Sequence, residues 1–309
     1  MTDDRSTIEH ALAGAGFAVP GEGIAIVGKL PSLTNRAWHV KAAGEDLVVR
    51  LPGPGTEHHI DRRAEAHNLK IAAALGVGAP VRFVDEASGV LVIDFDKGAV
   101  VPEPERLRRA PAIARLGRTL KRLHEGPAFD GLMDPFAKID RYLGNARIAD
   151  PADKAAFGAL WPRVAALKAA IAFETRSLKP CHIDPVPQNI LDKPKGLVLI
   201  DWEYAAMSEP LWDLAYAAVE AGFETPHKLL LLDAYGLGEG DLVELDLWCA
   251  VTMAVTAAWC AMQEAIGDDS VSFRVYKERR LAGLGAALDA PDLRRRLKDR
   301  GGAGRHAVL

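Results

Sequence analysis

Hydrophobic and polar positions change their texture once along this chain. In the first third, short runs rich in valine, isoleucine and aromatics occupy residues 24–27, 38–41 and 47–51, separated by Gly, Pro or Asn. Branched and aromatic side chains suit a pleated, half-buried surface, so these runs predict strands. After the turn Pro52-Gly53-Pro54-Gly55, Ala64, Leu69, Ala72 and Ala73 fall at roughly helical spacing within residues 61–75, and Gly76 and Gly78 end the pattern. Two more strand-like runs follow at 81–84 and 90–94. The expected order is three strands, one helix, two strands.

From Pro111 onward alanine, leucine and charged residues dominate, with helix-compatible stretches at 112–124, 154–172 and 242–264. A boundary near residues 94–98 gives a small α+β lobe, 1–95, and a larger, mainly helical lobe, 96–309. Two lobes joined by a short hinge predict a cleft, and clefts between domains are common ligand sites. The end, 294–309, is basic and then glycine-rich, and reads as a frayed tail.

Composition narrows the class of function. The 309 residues are 49% hydrophobic and 26% charged, with a net charge of only −4, which gives no reason to expect a nucleic-acid partner. Cys181, Cys249 and Cys260 form no CxxC pair and no disulfide framework, which favours a reducing cytoplasm. The polar, acidic start MTDDRSTIEH shows no signal-peptide pattern. The longest apolar stretch, 247–262, has 16 residues and two threonines. That is short for a membrane span and reads as a buried helix, so no membrane attachment is expected. There is no GxxxxGK[ST] and no GxGxxG after a strand, which disfavours P-loop and Rossmann readings.

The chemistry is concentrated in one segment. Residues 182–189 read His182-Ile183-Asp184-Pro185-Val186-Pro187-Gln188-Asn189, an HxDxxxxN pattern, and an apolar run at 197–200 then ends in Asp201. Pro185 and Pro187 exclude a helix between Asp184 and Asn189, so this part is a loop. The run at 197–200 is a buried strand that places Asp201 at its end. Phosphoryl transfer needs this set. Asn189 and Asp201 offer hard oxygen ligands for Mg²⁺, and Asp184 can accept the proton of an attacking hydroxyl. HxDxxxxN alone would arise by chance in roughly one chain of this length in a hundred, so the strand-borne Asp201 and the two-lobe layout are needed to make the case. His182 reads as a core histidine that holds the loop through a carbonyl.

With these residues in place, the segment resembles the catalytic region of the choline kinase and aminoglycoside phosphotransferase group, which has a protein-kinase-like two-lobed fold. IDWEYAAMSEPLWDLA at 200–215, LTNRAWHV at 33–40 and VVRLPG at 48–53 resemble choline/ethanolamine kinases more narrowly. The similarity spans about residues 24–280. It implies that Asp184 is the catalytic base and that Asn189 and Asp201 bind Mg²⁺. Arg50 takes the place of the usual phosphate-contacting lysine, with Glu65 as its partner. Ser32, Leu33, Thr34 and Asn35 would cover the ATP phosphates, the backbone of Asp94, Phe95 and Asp96 would meet the adenine, and Asp213 would brace the catalytic loop.

For the acceptor, the resemblance places Tyr204, Glu220, Trp259 and Tyr276 around a cationic head. A helix would put Trp248 and Trp259 on nearly the same face, eleven residues apart. The eukaryotic pattern has a second tryptophan where this chain has Thr256. The expected reaction is ATP- and Mg²⁺-dependent phosphorylation of a small amino-alcohol, choline first and ethanolamine second, and a homodimer is one assembly to test. The alternatives are an aminoglycoside or thiamine-type phosphotransferase and a nucleotide-binding pseudoenzyme regulator.

Overall fold

A two-residue hairpin sets the frame of the first sheet. Strands β1 (Ala25–Leu30), β2 (Arg36–Ala42) and β3 (Glu45–Leu51) run antiparallel, and β2 turns into β3 through Ala43 and Gly44. Both turn residues have positive φ, 50° and 81°, the conformation that matches the twist of the flanking strands. Gly44 adopts it without strain and Ala43 does so at some cost.

In the computed structural model, residues 2–17, 23–32, 35–53, 60–146, 148, 150–193, 196–266 and 273–303 are described. The chain forms two compact units. The first comprises residues 1–103, 119–131 and 179–207, and the second 104–118, 132–178 and 208–309. The first unit therefore runs past the expected 95/96 boundary and takes in the whole HxDxxxxN segment.

In the first unit, α1 (Thr2–Gly14) precedes the strands, α2 (Arg62–Ala74) follows β3, and β4 (Val81–Val84) and β5 (Leu91–Asp94) complete a sheet of order β1-β2-β3-β5-β4. The five strands and the helix α2 match the sequence pattern; β1 lies slightly later than expected. Helix α1 does not follow from the pattern, because its apolar face is only Ile8, Ala11 and Leu12 in a polar segment. These three residues pack on Val40, Leu47, Val49 and Leu51, and Ile8 and Leu12 are fully buried. Burying a side chain of that size contributes about 1.5–3 kcal/mol, which offsets the polar composition. Alternation along β3 sends Leu47, Val49 and Leu51 to this core and Arg50 to the other face.

Helix α2 begins at Asp61, whose carboxylate accepts from the Arg63 and Ala64 amides at 3.1 and 3.0 Å. Two small two-stranded sheets follow in the chain. One pairs β6 (Lys179–Cys181) with β9 (Ala206–Ser208), and the other is the hairpin of β7 (Ile190–Lys193) and β8 (Gly196–Leu199).

The second unit is helical. It holds α3 (Pro104–Leu107), the start of α4 (Ala110–His124), α5 (Pro135–Ala146), α6 (Pro151–Ile171), α7 (Pro210–Glu220), α8 (Thr225–Tyr235), α9 (Leu242–Ile266), α10 (Phe273–Asp289) and α11 (Pro291–Ala303). Helix α9 is the axis around which α5, α7 and α10 pack. At 25 residues it is long and apolar enough to cross a membrane, which corrects the argument from a 16-residue apolar run. A share of 83% of its apolar window is buried inside the protein, as in the core helix of a globular unit. Helix α11, which continues to Ala303, corrects the expectation of a frayed tail over residues 294–303; residues 304–309 lie outside the described residues.

Candidate active site

The HxDxxxxN loop is held from within the first unit. His182 is fully buried; its Nε2–H donates to the Ile200 carbonyl at 2.9 Å, and its Nδ1 accepts from the Asp184 amide at 3.3 Å. The ring therefore ties the loop to the end of β8, in the holding role its position suggested. Its face lies 4.6 Å from the ring of Trp202, whose indole donates to the Leu199 carbonyl at 3.2 Å. Between these anchors, Ile183 has φ 75° and Asp201 has φ 64°. A β-branched residue is rarely left-handed, and such strain persists only where surrounding contacts over-determine the backbone. Here the His182 hydrogen bonds and the burial of Ile183 do so.

Pro185 and Pro187 keep the stretch after Asp184 out of an α-helix, and residues Pro187–Asn189 make a single 3₁₀ turn. That turn returns Asn189 to Asp184: its Nδ2 donates to the Asp184 carbonyl and to Oδ2 of the Asp184 carboxylate, both at 3.0 Å. With the amide hydrogens committed there, the side chain of Asn189 has its Oδ1 left for other work.

Asp201 sits among charged groups drawn from four segments. Arg50 Nη1 contacts Glu65 at 2.5 Å and Asp201 Oδ1 at 3.2 Å, while its Nη2 donates to the Gly89 carbonyl at 3.2 Å. Arg62 reaches Glu65 at 2.7 Å and Glu203 at 3.5 Å. Asn35, at the start of β2, donates to Glu203 at 3.0 Å and to Asp201 Oδ1 at 3.4 Å. The Arg50–Glu65 pair is buried, with side chains 9% and 3% exposed, which overturns the alternative of a surface ion pair. Gly89 makes the close approach feasible: a Cβ there would lie 2.5 Å from Arg62 Cδ.

Arg62, Glu203 and Asn68 were not singled out from sequence. Arg62 lies one helical turn before Glu65, and Glu203 two residues after Asp201, spacings that could have flagged them. Asn68 is fully buried on α2 and donates to the Ala205 and Asp130 carbonyls at 2.8 and 3.0 Å. It fixes the chain just after Tyr204, and no motif signals it.

Other expected residues are placed as follows. Ser32 is exposed ahead of β2, and Thr34 lies outside the described residues. Asp94 pairs with Arg82 at 2.6 Å, Phe95 stacks on His39 at 3.8 Å, and Asp96 pairs with Lys193 at 2.8 Å. The Phe95 N–H donates to Asp46 O and the Asp96 carbonyl accepts from Ala99, so these two backbone groups are committed within the chain. Tyr204 is half-buried in the first unit, and Asp213 is fully buried at the start of α7 in the second.

Glu220 on α7, Trp259 on α9 and Tyr276 on α10 belong to the second unit. Trp248 is fully buried whereas Trp259 is half-buried and packs edge-on against Phe273 at 5.3 Å, so the two tryptophans do not share an environment. Glu220 accepts from the Tyr276 hydroxyl and pairs with Arg280 at 2.5 Å. The Glu220 carboxylate is thus already partnered within the second unit.

The electrostatics around Asp201 fit a divalent cation. Four carboxylates (Asp184, Asp201, Glu65 and Glu203) share one field with the guanidinium groups of Arg50 and Arg62. Withdrawal from solvent and the neighbouring carboxylates push the Asp201 carboxyl up to about 7, against the pull of Arg50. Asn189 and Asp201 supply an amide and a carboxylate oxygen, the hard donors that Mg²⁺ takes.

A pH prediction follows from that shift. An unfolded aspartate titrates near 3.8, so between there and about 7 the folded chain holds a proton the unfolded chain has lost. Stability from this group is full below the lower value and is lost as pH rises through the upper one. Glu209, pushed up to about 7 by burial, acts in the same direction. With chelator present, the melting temperature should fall from about pH 5 to about pH 8. A magnesium ion held by Asp201 would compete with the proton, so its stabilisation should be larger at the higher pH. Asp201→Asn should remove that difference and Glu209→Gln should keep it; equal magnesium shifts at both pH values would refute the assignment.

The family comparison agrees with the geometry. Residues 29–259 match the phosphotransferase enzyme family. The chain belongs to that family. A choline/ethanolamine kinase family protein from Mesorhizobium loti is 30% identical, with 97% of this chain and 98% of that one covered and a TM-score of 0.81. Protein LicA of Haemophilus influenzae is 27% identical over 209 residues, 66% of this chain and 76% of LicA. The choline kinase LicA from Streptococcus pneumoniae, at 23% identity, covers 92% of this chain and 99% of its own with a TM-score of 0.73, and speaks for the fold alone. This phosphotransferase is a small-molecule kinase with the protein-kinase-like fold and a choline/ethanolamine kinase kinship.

Proposed function

We propose that the protein transfers the γ-phosphoryl group of ATP, with Mg²⁺, to the hydroxyl of a small amino-alcohol, choline before ethanolamine. The observation that carries this reading is the Asn189–Asp184 hydrogen bond beside the Arg50–Glu65–Asp201 array. Asp184 orients the acceptor hydroxyl and takes its proton, and the Asn189 amide fixes the carboxylate for that task. Arg50, anchored by Glu65, holds phosphate oxygens. Asn189 and Asp201 would hold Mg²⁺, which when bound neutralises charge on the triphosphate. Ser32 and Asn35 line the phosphates, and the segment at Asp94, Phe95 and Asp96 meets the base. Glu220, Trp259 and Tyr276 of the second unit receive the cationic head.

The relatives' names favour the choline class over an aminoglycoside. So do Trp259 and Tyr276, since an aminoglycoside needs an acidic wall, and Glu220 is neutralised by Arg280. A coupled ADP-release assay with choline, ethanolamine, thiamine and an aminoglycoside should show Mg²⁺-dependent stimulation, greatest with choline. No stimulation by any alcohol would sink the kinase reading and favour a pseudoenzyme. Stimulation only by the aminoglycoside or thiamine would relocate the substrate class.

A further inference from the structure

The second unit carries a cluster that the phosphoryl chemistry does not use. Arg280, 6% exposed on α10, extends its Nη2 to Glu220 at 2.5 Å and to the Tyr276 hydroxyl at 2.7 Å. Its guanidinium carbon lies 4.5 Å from the centre of the Tyr276 ring. The Tyr276 hydroxyl donates to the same Glu220 oxygen, Oε1, that Arg280 contacts. One carboxylate oxygen therefore already receives two strong donors, and the acid and base form a neutral pair. Phe273, one turn before Tyr276 on α10, meets the half-buried Trp259 of α9.

Resting on the amino-alcohol reading above, we propose that Arg280 is a specificity-determining residue: by neutralising Glu220 and backing the Tyr276 ring, it makes the head-group site select a quaternary over a primary ammonium. The reason is desolvation. A primary ammonium brings three N–H donors and loses its water hydrogen bonds on entry, so it needs acceptors in return. Glu220 Oε1 is committed to Arg280 and Tyr276, and with its charge neutralised by Arg280 the carboxylate meets that need poorly. A quaternary ammonium has no donors to satisfy and is held by aromatic faces, which Tyr276 and Trp259 supply. Without Arg280, the Glu220 carboxylate becomes an acceptor for N–H groups and the balance moves toward the primary amine.

The test uses the full-length protein and two probes without a hydroxyl, tetramethylammonium and methylammonium, titrated by calorimetry. It is paired with kcat/KM for choline and ethanolamine. Wild type should prefer the quaternary ion and choline. Arg280→Met should shrink both preferences by about tenfold or more, the size of one hydrogen bond to a charged group. Arg280→Lys, which keeps the charge on Glu220, should retain most of the preference. If Arg280→Met loses its cooperative melt, Arg280→Gln gives the same readout with a neutral donor in place. A wild type that prefers methylammonium, or variants that weaken both ions equally, would overturn the proposal and leave Arg280 a packing residue. Quaternary selectivity in binding without alcohol-stimulated ADP release would support this assignment and overturn the kinase reading. Turnover without selectivity would overturn this assignment alone.

Discussion

Asp184→Ala is expected to lower kcat by about a thousandfold or more while ATP affinity stays within about threefold of wild type. The magnitude comes from what the side chain does. A positioned general base is worth about 10²–10⁴ in rate, and in the proposed role Asp184 would also orient the attacking hydroxyl. Nucleotide affinity should be spared because Arg50, Asn35 and Asp201, the proposed phosphate and metal groups, keep their mutual contacts, none of which runs through Asp184. The fold is spared too, because the loop is tied down by His182 through the Ile200 carbonyl and the Asp184 amide, both backbone groups. Single-turnover kinetics together with ATP titration separate the two effects. Near-normal turnover would remove Asp184 from the chemistry, and loss of ATP binding in parallel would make it a nucleotide residue.

Arg50→Met is expected to destabilise the protein by about 3–5 kcal/mol, the usual consequence of leaving a buried carboxylate without its partner. Glu65 is 3% exposed and, among the described residues, would keep Arg62, which is shared with Glu203. Arg50→Lys should rescue little, because a single ammonium cannot reach Glu65, Asp201 and the Gly89 carbonyl together as the planar guanidinium does. Arg50→Met combined with Glu65→Leu should recover part of the stability but none of the nucleotide affinity. Urea denaturation read against ATP binding checks both. An Arg50→Met midpoint equal to wild type would mean that the buried pair carries no net weight.

Much of this site is legible along the chain because its parts lie close in sequence. The HxDxxxxN spacing, the two prolines and the strand ending in Asp201 are local features, and local sterics decide their backbone. The Arg50–Glu65 pair was reachable only through resemblance, because strand and helix are fifteen residues apart with a turn between. Asn35, Arg62 and Glu203 act together across more than a hundred residues, and no periodicity records that. Helix α1 escaped notice for a related reason: three apolar residues are a weak signal until a sheet face is there to receive them.

The segment order, the strand and helix types and the phosphotransferase signature were determined by the sequence itself, since each depends on side-chain pattern within a few residues. Tertiary structure alone decided that the HxDxxxxN loop clusters with the strand-rich unit, that Asp201 is crowded by carboxylates, and that Glu220 meets Arg280 rather than standing open. The physical reason is the same in each case. Charge and burial are set by which distant groups come within a few ångströms, and only packing determines that.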